Sequence, residues 1–158
     1  MQVSTSIAKK HRQSIPKYID VYLWYNLGMS QGVSWYTPYI KDKKILKMGL
    51  GPLGRSFGDI LFLARAGAYL TVTDLRDGDD VQDSVARIKS ELTPTQFRRI
   101  TWVLGRHRKK DFQAADVVLR APNAPLDSPY IDAARKKGIT PYSSAAWLCT
   151  LVKDQFGA

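Results

Sequence analysis

Gly49, Gly51 and Gly54 stand at the first, third and sixth positions of Gly49-Leu50-Gly51-Pro52-Leu53-Gly54, directly after the apolar residues 45–48. Glycines so spaced let a strand turn tightly into a helix, bring a diphosphate against main-chain N–H groups, and seat the helix close to the strand. The helix N-terminus adds partial positive charge for the phosphates. Asp74 ends a second apolar run, twenty residues after Gly54. An acid at that position can accept hydrogen bonds from a nucleotide's sugar or base. Lys47 and Arg120 each interrupt an apolar run just before its end. Buried parallel strands normally read as continuous apolar runs. Two such cations on neighbouring strands would repel and resist desolvation unless an anion or an acid sits between them, which makes Lys47 and Arg120 candidate anion contacts.

Other chemistry is missing from the sequence. There is no GxxxxGK[ST] phosphate loop and no Gly-Lys dipeptide, so the lysine and hydroxyl of P-loop ATP hydrolysis are lacking. No GxSxG elbow occurs, and Cys149 lies among Leu148, Leu151 and Val152 in an expected helix, where it reads as core-facing. Asp79-Asp80 fits a first helical turn, where the helix dipole favours acids. His11 and His107 are far apart and have no ligand spacing. The sequence therefore offers no catalytic constellation and no metal site, and no cofactor is expected in this chain.

The elements that must hold the glycines and Asp74 alternate from residue 44 onward. Strands are predicted over residues 44–48, 69–74, 100–104, 116–120 and 139–142, and helices over 54–66, 80–92, 130–137 and 145–154. Gly67 and Gly138 fall where helices stop, and Thr93-Pro94-Thr95-Gln96 has the pattern of a capping box. The fold class is α/β: a Rossmann-like parallel sheet of about five strands, with right-handed crossovers and helices on both faces. With strand order 3-2-1-4-5, ligands bind at the carboxyl edge, which gathers residues 49–54, 74–76, 105–107 and 121–124. Residues 41–158 form the nucleotide-binding domain. Residues 1–40 form an N-terminal extension crowded with Tyr18, Tyr22, Trp24, Tyr25, Trp35, Tyr36 and Tyr39. Its residues 17–27 suit one helix whose aromatic stripe packs against a core or partner.

At 158 residues the chain is long enough for one domain with a real core, and its 44% hydrophobic content is that of a globular protein. No run of eighteen apolar residues occurs, and residues 1–12 lack a following apolar signal region. With Cys149 as the single cysteine there is no disulfide framework, and a cytoplasmic location is expected. The formal charge of +10 comes from clusters at residues 9–12, 41–47, 106–110 and 135–137. These are not interleaved with aromatics and come with no helix-turn-helix, zinc-finger or RNA-recognition signature. A solvated basic surface is the favoured reading, and a nucleic-acid adaptor is the lesser one.

The string Ile45-Leu46-Lys47-Met48-Gly49-Leu50-Gly51-Pro52-Leu53-Gly54-Arg55-Ser56 resembles the opening strand and loop of the D-glutamate-adding Mur ligases, the UDP-N-acetylmuramoyl-L-alanine:D-glutamate ligases. Leu70-Thr71-Val72-Thr73-Asp74-Leu75-Arg76 looks like the family's second strand, and Val103-Leu104-Gly105-Arg106-His107-Arg108 its Gly-x-His segment. Ala115-Asp116-Val117-Val118 followed by Pro125-Leu126-Asp127-Ser128-Pro129-Tyr130 is similar to its fourth strand and following turn. The aromatic residues 22–39 look like an extended form found in some bacterial lineages.

This resemblance implies a domain that holds the UDP end of UDP-MurNAc-L-alanine for peptidoglycan precursor synthesis. In the family, a central domain binds ATP and Mg2+, and a C-terminal domain brings the D-glutamate that attacks an acyl phosphate. By resemblance, Gly51, Pro52, Leu53 and Gly54 face the diphosphate. Asp74, Leu75 and Arg76 surround the uracil, and Asn123 takes the place of a family glycine beside it. Two departures stand out: the tripeptide after the fourth strand reads Ala121-Pro122-Asn123, and an acid usual in the last helix is replaced within Ser144-Ala145-Ala146. The expected partner is UDP-MurNAc-L-alanine or a related uridine nucleotide, together with a chain supplying the ATP- and glutamate-binding domains. The glycine motif with Asp74 also fits an NAD-binding oxidoreductase or sensor module, which is the alternative.

Overall fold

The computed structural model describes residues 35–50, 56–122 and 124–157. A short helix α1 (Thr37–Ile40) leads into β1 (Lys44–Met48), followed by α2 (Phe57–Arg65), β2 (Tyr69–Thr73), α3 (Asp79–Glu91) and α4 (Pro94–Arg98). The chain continues through β3 (Ile100–Val103), α5 (Lys109–Ala114), β4 (Val117–Leu119), α6 (Pro129–Arg135), β5 (Pro141–Tyr142) and α7 (Ser144–Phe156). The five strands form one sheet in the order β3-β2-β1-β4-β5, all paired parallel. This is the expected doubly wound arrangement, with the switch in strand order between β1 and β4.

Alternation along β1 sends successive side chains to opposite faces. Ile45 joins the larger core with Ile60 and Leu63 of α2, Val81 and Ile88 of α3, and Trp147 and Leu151 of α7. Leu46 and Met48 join the smaller core with Phe112 of α5 and Ile131 and Ala134 of α6. Helices therefore cover both faces of β1, and the strand must be apolar on both sides. Tyr36 and Ile40 belong to the larger core as well, so the last residues of the expected N-terminal extension pack with the sheet domain. The expected helix over residues 17–27 lies outside the described residues.

Helix ends follow local chemistry. Gly67 and Gly138 adopt φ of +90° and +75° just past α2 and α6, a conformation that costs glycine little. Thr93 and Gln96 form the reciprocal capping box at the start of α4. Three readings of the sequence need correction. β4 and β5 are shorter than expected, because the chain leaves the sheet after Leu119 and joins it only at Pro141. The six-residue α5 was not anticipated. Cys149 is exposed, because the buried stripe of α7 runs through Trp147 and Leu151 and leaves Cys149 outside it.

Candidate functional site

The end of β1 turns at Gly49, whose φ is +86° and whose N–H donates to the Thr73 carbonyl at 2.7 Å. A Cβ on Gly49 would stand 3.2 Å from the Ala121 Cβ. The turn thus crosses the end of β4 at a separation that leaves little room for a side chain. Ser56 closes the other side of the glycine turn: its hydroxyl donates to the Gly49 carbonyl at 2.8 Å. Gly51, Pro52, Leu53 and Gly54, the expected diphosphate contacts, lie outside the described residues, as does Asn123.

Asp74 follows β2 and is buried. Its carboxylate accepts from the Leu50 backbone N–H at 2.8 Å and from the Arg76 backbone N–H at 2.9 Å. The Arg76 guanidinium donates to both of its oxygens, from Nε at 3.1 Å and from Nη2 at 3.0 Å. Burial pushes the Asp74 carboxyl up, but the hydrogen bonds from Arg76 and Leu50 and the guanidinium charge outweigh it and hold it below its ordinary 3.8. Asp74 is therefore ionised, and it fastens the glycine turn to the loop after β2. Leu75, between Asp74 and Arg76, is 65% exposed.

Lys47 is only 2% exposed. It lies on the Ile45 face of β1, beneath the N-termini of α2 and α7. Its Nζ donates to Asp59 Oδ2 at 2.7 Å and to Ser144 Oγ at 3.0 Å, and the Ser144 hydroxyl donates to the same Asp59 oxygen at 2.5 Å. The partner that a cation in this strand requires is thus an acid of the chain itself. Arg120 turns instead to its own loop, donating to the carbonyls of Ala121 and Pro122, each at 3.3 Å. Lys47 lies in β1 opposite Leu119 of the neighbouring β4, but Arg120 falls just past the end of that strand, and its bonds go to its own loop rather than to a group shared with Lys47. Neither Asp59 nor Ser144 was singled out as a partner for Lys47. The available signal was an acid in the first turn of the helix that follows an interrupted strand.

Gly105, with φ of +75°, follows β3 and donates to the Arg76 carbonyl at 3.0 Å. Two residues on, His107 Nδ1 lies 2.8 Å from the hydroxyl of Thr73, and the same hydroxyl reaches the Arg106 carbonyl at 3.0 Å. Burial pushes the His107 pKa below its ordinary 6.5 against the opposing pull of the Asp74 charge. Among the described residues no group of three His, Cys, Asp or Glu side chains is placed to hold a metal ion, and no helix is long and apolar enough to cross a membrane.

No protein-family model matches the chain. Over 101 residues it is 43% identical to the UDP-N-acetylmuramoylalanine--D-glutamate ligase of Roseiflexus sp. (strain RS-1), covering 64% of this chain and 20% of that protein. It is 44% identical over 99 residues to the ligase of the same name from Geobacter metallireducens, covering 63% and 20%. For that from Treponema pallidum the figures are 36% over 100 residues, 63% and 18%. The chain spans about a fifth of the length of these curated relatives. Among solved structures, quinate dehydrogenase from Corynebacterium glutamicum in complex with NAD aligns with a TM-score of 0.48 and 20% identity, over 86% of this chain and 55% of that one. That likeness is too distant to bear on the ligand.

Proposed function

We propose that this chain, related over about 100 residues to the D-glutamate-adding Mur ligases, binds the uridine diphosphate end of UDP-MurNAc-L-alanine or a related uridine nucleotide in peptidoglycan precursor synthesis. The observation that carries this reading is the Asp74 carboxylate gripping the Leu50 amide at 2.8 Å, in a chain that is 43% identical over 101 residues to such a ligase. The grip fixes Leu50 at the carboxyl edge, where sheets of this kind bind nucleotides. In this reading residues 41–158 are the nucleotide-sugar-binding domain, and residues 1–40 are an extension whose end packs on it. Gly51, Pro52, Leu53 and Gly54 approach the diphosphate, while Asp74, Leu75, Arg76 and Asn123 border the uracil. The proposed location is the cytoplasm.

The ligase reaction needs ATP, Mg2+ and a D-glutamate site. With no Gly-Lys pair in the sequence, the proposed role of this chain is substrate binding, with another polypeptide segment supplying the rest. Purified alone, it is expected to form no ADP from ATP with Mg2+ and D-glutamate. Calorimetric titration with UDP-MurNAc-L-alanine, UDP, NADH and an oligonucleotide at two salt concentrations tests the reading. Saturable binding of the uridine ligands supports it. Binding of NADH alone, or of the oligonucleotide alone with a steep salt dependence, overturns it.

A further inference from the structure

His107 sits where the ends of β2 and β3 meet the start of α6, beside the Asp74 grip. The Thr73 hydroxyl is fully buried and is within hydrogen-bond distance of both the Arg106 carbonyl and His107 Nδ1. A hydroxyl has one hydrogen, and a carbonyl oxygen can only accept. Both contacts are hydrogen bonds only if Thr73 donates to Arg106 and Nδ1–H donates to Thr73. The neutral ring is then the Nδ1–H tautomer, and Nε2 carries a free lone pair.

Nε2 makes no hydrogen bond to the described residues. It is also absent from the buried unpaired side-chain atoms, of which Trp102 Nε1 is the single case among the described residues. The residue as a whole is half-buried. The ring plane is fixed by edge-on contacts with Phe112 of α5, at 6.0 Å between centroids, and with Tyr130 of α6, at 5.1 Å. A held acceptor with no partner among the described residues, on a half-buried side chain near Asp74, is the equipment of a ligand contact, while the Nδ1 bond to Thr73 accounts for the structural half of the residue.

We propose that His107 Nε2 accepts a hydrogen bond from an N–H or O–H group of the nucleotide's base or sugar, and so acts as a specificity residue of the site. This rests on the nucleotide-binding reading above. A neutral acceptor next to the Asp74 carboxylate disfavours a phosphate oxygen, so the group read is a donor.

His107→Asn places an amide nitrogen where Nδ1 stood, keeping the bond to Thr73 and leaving nothing at Nε2. His107→Gln reaches the Nε2 position with a group that can accept. UDP and UDP-MurNAc-L-alanine affinities are measured for each by calorimetry, with thermal midpoints as the folding control and nitrogen NMR of the wild-type ring. The expected result is the Nδ1–H tautomer at neutral pH, a displaced Nε2 resonance on adding UDP-MurNAc-L-alanine, and about tenfold weaker binding of that ligand in His107→Asn, the loss of one hydrogen bond. His107→Gln should recover most of that loss, and His107→Asn should melt near the wild type. An Nε2–H tautomer, or wild-type affinity in His107→Asn, overturns the assignment while leaving the nucleotide reading intact. Failure of the wild type to bind either uridine ligand overturns both.

Discussion

At the carboxyl ends of the strands Lys47 of β1 is paired with Asp59 of α2, and Asp74, paired with Arg76 of its own loop, grips Leu50 after β1, whereas at the amino ends Lys41, Lys43, Lys44, Lys136 and Lys137 stand exposed. The acids at the amino edge serve the backbone and one surface pair. Asp116 accepts from the Lys44 N–H at 2.8 Å, and Asp42 pairs with Arg99 at 3.0 Å. Both edges carry charge in quantity, but desolvation separates them. A charge buried at the carboxyl edge needs an opposite partner at fixed geometry, and that requirement positions α2, α7 and the glycine turn. A lysine at the amino edge keeps its water and positions nothing.

The Lys47–Asp59–Ser144 cluster gives the sharpest break of this contrast. Lys47→Ala or Asp59→Ala leaves an uncompensated charge beneath two helix N-termini and is expected to cost about 3–5 kcal/mol of stability, read by urea denaturation. The double variant Lys47→Met/Asp59→Leu removes both charges and should recover most of that loss or exceed the wild type. If the single and double variants are equally unstable, the pair is not what makes the singles fail. Titrating Lys47→Met with a uridine nucleotide at two salt concentrations also decides whether Lys47 contributes to anion binding. With Asp59 occupying its Nζ, unchanged affinity and salt dependence are expected.

Asp74 comes next in size. Asp74→Asn keeps one acceptor for the Leu50 amide but gives up the charged bonds to Arg76, at an expected cost of about 1.5–3 kcal/mol and a loss of uridine-nucleotide affinity of more than twofold. The pH dependence has a definite sign. The folded-state pKa lies below the ordinary 3.8, so the contribution of Asp74 is complete above 3.8 and is lost as pH falls through the folded value. Asp74→Asn should therefore lose less stability than the wild type between pH 4 and pH 2 in acid-titrated thermal melts. A parallel fall in both would show that the carboxylate is not held by its partners.

Much of this edge could be read from residue types. The limits of β1 were legible because apolar residues 45–48 are bounded by a lysine-rich turn and a glycine motif, and the parallel sheet followed from the alternation of elements, whereas the strand order was a premise that the sheet pairing met. Asp74 was recognisable as the acid of the site, but its grip on Leu50 depends on a three-dimensional approach of 2.8 Å that spacing does not disclose. Asp59 and Ser144 were harder still, because their partner Lys47 lies 12 and 97 residues away. The α5 helix escaped because Lys109-Lys110 opens a segment of only six residues, with the single buried anchor Phe112. Cys149 misled because its sequence neighbours are apolar, although two-residue spacing from Trp147 turns it away from the buried stripe of α7.

The amino edge supplies the smallest expected effect and the control for the others. Lys136 and Lys137 close α6 ahead of β5, both exposed, where a cation near a helix C-terminus gains a few tenths of a kcal/mol from the helix dipole. The Lys136→Gln/Lys137→Gln variant should stay within about 0.5 kcal/mol of the wild type, and its affinity for UDP should not change. It lowers the formal charge from +10 to +8, so it also asks whether net charge alone draws a nucleotide to the protein. A fall in UDP affinity at low salt that vanishes at high salt would mean that the long-range field of the basic surface steers the ligand. The two edges would then share one electrostatic task. An unchanged affinity at both salt concentrations leaves binding to the bonded charges of the carboxyl edge.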